Sequence, residues 1–261
     1  MLITPLPEKL RLLEATGIDA VLLLPFTVEF SRTSAHDFAS TVLHDALHVR
    51  ELHEGENFRF GYQAEGGIDS LELLGRELGF IVRSYAPRHL RGAPISSSRI
   101  RKLIAAGDVS RARALLGRPF SLQSAPASGR GYGTRYTVPT INLAPCPELL
   151  PGNGVYVTTL RIGEATSAQT FNAVTNVGNR PTFGADSFTV ESHLLDFQPI
   201  KLNEHTPLRL SFLMRLRDEM RWPTPEALRE QIGRDVRRAQ RYFSLCQGVG
   251  SRHPSYHPAQ L

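Results

Sequence analysis

The run Gly129-Arg130-Gly131-Tyr132-Gly133 is followed, six residues on, by Pro139-Thr140-Ile141-Asn142. Glycines at alternate positions let a turn bring backbone N–H groups up to phosphate oxygens, with Arg130 or Arg135 to screen the charge. The oxygen-bearing pair Thr140 and Asn142 suits a magnesium ion held on those phosphates. This is neither a Walker loop nor a dinucleotide fingerprint, because no Gly-Lys-Ser/Thr and no strand-to-helix pattern follows it. On chemistry alone it is no more than a candidate phosphate and metal site, and a plain turn with an Asx cap is the commoner reading of such a loop. Downstream lies Glu191, after Phe188-Thr189-Val190. A carboxylate there has the chemistry of a general base for a hydroxyl. Taken alone it is an ordinary glutamate on a half-exposed strand, and we expect it on one face with Thr189 off it. Ser96, Ser97, Ser98 and Arg99 open a helical stretch, where N–H groups attract an anion, although a serine N-cap is the simpler reading. His44 and His48 are read as two histidines on one helix face rather than a nucleotide or metal pair.

The elements that must position these groups change character near Gly117. Before it, helix and strand patterns alternate. Pro7–Thr16 has helical spacing, ended by Gly17. Ala20-Val21-Leu22-Leu23-Leu24 is a continuous apolar run that predicts a strand buried on both faces of a parallel sheet. Helices are predicted over Ala35–His48, Leu71–Leu78, Ile95–Ala106 (Ser96 as N-cap) and Arg111–Leu116, with a short buried strand at Phe80-Ile81-Val82. That alternation implies an α/β layered unit. After Gly117 the rhythm turns to β-branched alternation at Val155–Ile162, Phe171–Val174, Phe188–Leu195 and Leu208–Leu216, separated by Gly, Pro and Asn turns. An amphipathic helix over Pro225–Tyr242 follows. Short antiparallel strands with one terminal helix suggest a small closed β-barrel. From Gly248 onward the polar, proline-bearing sequence predicts a loose tail.

A chain of 261 residues accommodates two ordinary domains, and 41% hydrophobic with 21% charged residues is ordinary for a globular protein. The net charge of +5 is scattered, with no zinc-finger or RNA-binding signature, so polyphosphate substrates explain it better than nucleic acid. The two cysteines, Cys146 and Cys246, read as free thiols of a reducing cytoplasm. No 18-residue apolar run and no signal-peptide pattern is present, so no membrane span is expected.

From Gly117 to about Gln247 the chain resembles the riboflavin kinase module of bacterial bifunctional riboflavin kinase/FAD synthetases. The matching pieces are Gly117-Arg118-Pro119-Phe120, the glycine loop, Pro-Thr-x-Asn and Leu150-Pro151-Gly152-Asn153-Gly154-Val155-Tyr156. Asn176-Val177-Gly178-Asn179-Arg180-Pro181-Thr182-Phe183 and Val190-Glu191-Ser192-His193-Leu194-Leu195-Asp196-Phe197 follow in order. The first half resembles only the later part of the FMN adenylyltransferase of that pair, through the helix-then-strand stretch Glu8–Phe26, the loop Gly55–Gly61 and the nucleotide signature Ile95–Arg101. The family's opening strand and His-x-x-His type signature have no match here, which a start codon placed too late would produce.

The resemblance implies a truncated Rossmann-like nucleotidyltransferase domain (1–116), a β-barrel riboflavin kinase domain (117–247) and a flexible tail (248–261). It implies phosphorylation of riboflavin to FMN with ATP and Mg²⁺, and FAD synthesis absent or very weak. Glu191 takes the place of the catalytic base. Thr140 and Asn142 match the metal ligands. Gly129, Gly131, Gly133, Thr140, Asn176 and Arg180 match ATP-binding positions, with Thr182 on the same loop, and Arg217 and Trp222 lie where the flavin is approached. A lone tryptophan is otherwise core packing. Asn57, Arg59, Ser96, Ser97, Ser98 and Arg99 are the adenylyltransferase remnant. Thr137, Ile141 and Glu204-His205 depart from the family pattern. Ile141 is expected to add bulk beside the metal ligands, and Thr137 to stiffen the loop. These departures favour the alternative, a non-catalytic flavin- or nucleotide-binding relative. A nucleic-acid-binding barrel rests on the isoelectric point of about 9.5 alone.

Overall fold

Amphipathic helix next to short β-rich run is the pattern of a parallel crossover, and residues 51–85 fold that way. The structure, a computed structural model, describes residues 1–127, 140–146, 148–164, 168–179, 188–198, 200 and 202–252. Contacts divide the chain into two units, Pro7–Ile95 and Met1–Leu6 with Ser96–Leu261.

In the first unit, helix α1 (Leu6–Glu14) precedes helix α2 (Ala35–Asp37), which continues as π-helical turns over Phe38–Ala46. Strand β1 (Glu51–Gly55), helix α3 (Ile68–Leu78) and strand β2 (Ile81–Tyr85) form a β–α–β crossover with β1 and β2 parallel. Gly79 stops α3 at φ +84°, a conformation that costs a side-chain-bearing residue about 1–2 kcal/mol. Ala39, Leu43, Phe60, Leu71 and Phe80 make the core of this unit. A short hairpin, β3 (His89–Leu90) and β4 (Ala93–Pro94), closes it.

Two expectations fail here. Ala20–Leu24 pairs with no strand among the described residues, and Val21, Leu22, Leu23 and Leu24 are exposed. An apolar run supplies the faces of a strand but not its neighbours, and both are needed for a buried sheet. Phe80 is buried as expected, but the strand starts one residue later and Ile81 is 55% exposed. The strand β1, not foreseen, is its partner. Its sequence Glu-Leu-His-Glu-Gly carries three polar side chains and so gave no apolar signal.

The second unit opens with helices α4 (Ser97–Ala105) and α5 (Val109–Leu116). Ser96 caps α4, its hydroxyl accepting from the Arg99 N–H at 3.3 Å, as the serine run suggests. Gly107, between the helices, has φ +77°, and a Cβ there would meet the Tyr156 hydroxyl at 2.6 Å.

Strands β5 (Phe120–Ser124), β6 (Thr140–Asn142), β7 (Gly154–Ile162), β8 (Gln169–Asn179), β9 (Phe188–Leu194) and β10 (Leu208–Arg217) form one antiparallel sheet, ordered β5-β10-β7-β8-β9-β6. The sheet curls until its two edges meet. Ala127 N–H donates to Asn142 O and Ala144 N–H to Ala125 O, both at 2.8 Å, around a bridge between Pro126 and Leu143. The expected barrel is thus present. Phe120 stacks on Phe212 in its interior and Tyr156 meets Phe212 edge-on, beside Leu122, Ile141, Leu160, Leu194 and Leu210, all fully buried. Helix α6 (Pro225–Arg252) lies on the opposite face of the sheet, against Val155, Val157 and Val174, through Val236, Ala239, Tyr242 and Phe243. It runs through Gly248 to Arg252, past the point where composition predicts the tail, because glycine costs a helix only about 1 kcal/mol per residue.

Candidate active site

Strand pairing assembles what the sequence leaves scattered. Asn142 on β6 pairs with Glu191 on β9, and Glu191 pairs with Asn176 on β8. The same row continues to Val155 on β7 and Arg217 on β10. Residues directly opposite on antiparallel strands have Cβ atoms about 4.5–5.5 Å apart, so Asn142, Glu191 and Asn176 form one contiguous polar strip. Arg217 shares the row but lies two strands beyond Asn176.

Period-two alternation decides which side chains share this strip. On β9, Val190, Ser192 and Leu194 are buried in the barrel, and Thr189, Glu191 and His193 are only half-buried on the other face. Thr189 therefore sits on the same side as Glu191, two residues away, and not off it as expected. On β6, Ile141 is fully buried and points into the barrel, away from the face shared by Thr140 and Asn142. It adds no bulk beside them, so that expectation is also corrected. Thr140 pairs with His193, and its Oγ1 lies 3.2 Å from His193 Nδ1. Burial pushes the His193 pKa below its usual value, which favours the neutral ring.

Arg217 and Trp222 are together, but they are committed to one another and to α6. The guanidinium lies 5.6 Å from the Trp222 ring centroid. Its Nε donates to Asp235 Oδ2 at 2.9 Å, and the two side chains are 16% and 2% exposed. Asp235 Oδ1 also accepts from Gln231 Nε2 at 2.9 Å. Glu219 stands near the strip too, accepting from Asn153 Nδ2 at 3.2 Å and lying where any side chain at Gly178 would be.

The remaining candidates are placed as follows. Gly129, Arg130, Gly131, Gly133, Arg135, Thr137, Arg180 and Thr182 lie outside the described residues. Asn57 lies in the turn after β1, and Arg59 lies against Gly67 at the start of α3. Ser97, Ser98 and Arg99 form the first turn of α4. Glu204 and His205 are an exposed pair in the turn before β10, 3.6 Å apart. Cys146 and Cys246 are both free thiols, and burial with the neighbouring Glu148 pushes the Cys146 thiol up to about 12. His44 and His48 do not share a helix face, since the helix ends at Ala46 and His48 has φ +48°.

Sequence reasoning missed His193, Asp235 and Glu219. His193 was within reach, two residues after Glu191 in the same motif; its partner Thr140 is 53 residues away and becomes visible only through pairing.

A family model described as riboflavin kinase matches residues 116–243, and one described as FAD synthetase matches residues 1–99. The bifunctional riboflavin kinase/FMN adenylyltransferase of Escherichia coli (strain K12) is 33% identical over 246 residues, covering 94% of this chain and 77% of that protein. The chain belongs to the bifunctional riboflavin kinase/FMN adenylyltransferase family. Another member, from Haemophilus influenzae, is 30% identical over 239 residues, covering 92% of this chain and 76% of its own. A solved structure described as a macrolide-efflux protein from Streptococcus pneumoniae superposes with a TM-score of 0.78 at 25% identity, over 91% of this chain and 75% of that one. The riboflavin kinase segment takes in all six barrel strands and most of α6, so the polar strip lies wholly within that part of this family member. Among the described residues, no helix is long and apolar enough to cross a membrane.

Proposed function

We propose that this chain transfers the γ-phosphoryl group of ATP to the terminal ribityl hydroxyl of riboflavin, giving FMN and ADP. The observation that carries the reading is the row Asn142–Glu191–Asn176, which sets a carboxylate between two amides on one face of the barrel. Glu191 accepts the proton of the attacking hydroxyl as its oxygen bonds to the γ-phosphorus and the bond to ADP breaks. Thr140 and Asn142 present a hydroxyl and an amide from alternate positions of β6. Such hard oxygen donors, few in number, fit Mg²⁺, which takes its other ligands from water and phosphate. When bound there, the ion would neutralise charge on the transferring phosphoryl group. Gly129, Gly131, Gly133, Asn176 and Arg180 are assigned to ATP, and Arg217 and Trp222 to the flavin side. The kinase domain is assigned to 117–247 and the adenylyltransferase-type part to 1–116, with Asn57, Arg59 and Ser96–Arg99 as its nucleotide-facing remnant. Adenylyl transfer to FMN is assigned as absent or very weak in this chain, and its ATP chemistry to the cytoplasm.

Replacement of Thr140 tests the metal assignment. Thr140→Ala is expected to raise the KM for Mg²⁺ by about 10- to 100-fold, the range in which metal-site contacts act. The KM for riboflavin should change less than threefold. Unchanged magnesium dependence would remove Thr140 from the metal site.

A further inference from the structure

Thr140 can serve a cation only if its hydroxyl proton points elsewhere. A hydroxyl has one O–H to donate and two lone pairs. When the proton swings toward the cation, the oxygen presents the wrong end of its dipole. Something beside Thr140 has to take that proton. On the described face of the sheet the group in place is His193, directly opposite Thr140 in the β6–β9 ladder, with Nδ1 at 3.2 Å from Oγ1.

We infer that His193 is a positioning residue of the phosphoryl-transfer site, accepting the Thr140 proton on Nδ1 and so turning the threonine oxygen toward the cation. The inference rests on the metal reading of Thr140 given above. Three features of the fold support it. The pairing is fixed by backbone register and not by two mobile side chains meeting, because Thr140 and His193 are a Cα pair of the ladder. Both side chains are half-buried, so the contact is partly sheltered from competing water. The neighbouring register pair is Asn142 with Glu191, so His193 stands one alternate position from the proposed base and on its face. Groups that orient a metal ligand without touching the metal typically change metal affinity about 10- to 100-fold when removed.

His193 is not assigned contact with ATP, flavin or the transferred group. A purely structural role would instead make its loss a matter of stability alone. The two are separated by measuring metal binding directly. Mn²⁺ bound to the enzyme in the presence of ADP can be counted by its electron paramagnetic resonance signal, without turnover. The parent is compared with His193→Leu, His193→Asn and Thr140→Ala. The Asn side chain keeps an acceptor near the Nδ1 position, whereas Leu keeps only bulk.

The expected result is Mn²⁺ binding weakened at least 10-fold in His193→Leu and restored to within about threefold in His193→Asn. The KM for Mg²⁺ in FMN formation should follow the same order, with the KM for riboflavin unmoved. His193→Leu added to Thr140→Ala should cost little more, because the proton acceptor is useless without its hydroxyl. Parent-like Mn²⁺ binding in a folded His193→Leu protein would overturn the inference, provided Thr140→Ala still weakens it. If Thr140→Ala also binds normally, the metal reading itself is wrong and the inference falls with it. Should His193→Leu fail to fold, His193→Asn is set against His193→Gln, whose acceptor sits near the Nε2 position. Asn binding Mn²⁺ like the parent and Gln binding it poorly supports the inference; equal binding by the two overturns it.

Discussion

Glu191→Gln is expected to lower kcat for FMN formation by about 10²- to 10⁴-fold, with flavin and nucleotide binding kept within a few-fold. The substitution is nearly isosteric and leaves β9 paired on both sides, to Asn142 and to Asn176. What it removes is the ability to accept a proton. Phosphoryl transfer of this kind has a loose transition state in which positioning and charge neutralisation carry much of the rate, so part of the activity survives without the base. The loss should therefore appear in kcat and not in KM. Steady-state kinetics with riboflavin varied, beside a fluorescence titration of riboflavin binding, separates the two. A variant within twofold of the parent would mean that Glu191 is an ordinary strand residue.

Asp235→Ala is expected to destabilise the barrel unit by about 3–5 kcal/mol, the cost of leaving one member of a buried ion pair alone. Asp235 is 2% exposed, and its two oxygens take hydrogen bonds from Arg217 and Gln231 at 2.9 Å. Removing it strands the Arg217 guanidinium, itself only 16% exposed, between β10 and α6. For a unit of this size the melting temperature should fall by roughly 10 °C. A double replacement, Arg217→Met with Asp235→Leu, should recover most of the loss, since well-packed apolar residues often replace a buried pair without penalty. The contrast bears on the flavin assignment of Arg217. If Arg217→Ala lowers the melting temperature as much as Asp235→Ala, the arginine holds α6 to the sheet whatever else it touches. A fall under about 2 °C for either variant would contradict the packing account.

Local pattern carried the barrel better than the first unit, for a physical reason. Alternating β-branched stretches such as Val155–Ile162 announce a strand by their period and composition, and β8, the hairpin neighbour of β7, follows directly in sequence. The run Ala20–Leu24 has the composition of a central strand, but a central strand is defined by what lies on either side of it. No residue of that run encodes its neighbours, and the structure leaves Val21–Leu24 exposed. Strand β1 shows the reverse case: its polar sequence hides a strand that pairs in register with β2. In the site, motif order pointed to Glu191, Asn142 and Asn176 separately. Their adjacency is a property of register, which links residues 49 apart on β6 and β9 and 15 apart on β8 and β9. Period-two alternation puts Thr189 on the Glu191 face and turns Ile141 inward, whereas cross-strand partners follow from register alone. His193 and Asp235 were hidden for the same reason, because each matters through a partner distant in sequence.

The measurement that tests the central claim most directly is the product analysis of riboflavin incubated with Mg-ATP and this chain. Flavins are resolved by liquid chromatography and ADP is counted in parallel. The account predicts FMN and ADP formed one for one, with no FAD, or only traces of it, at long times or when FMN is supplied as substrate. Riboflavin bound but unconsumed, with no ADP formed, would contradict it and leave a flavin-binding relative in place of a kinase. Robust FAD formation would contradict the assignment made for the first half of the chain.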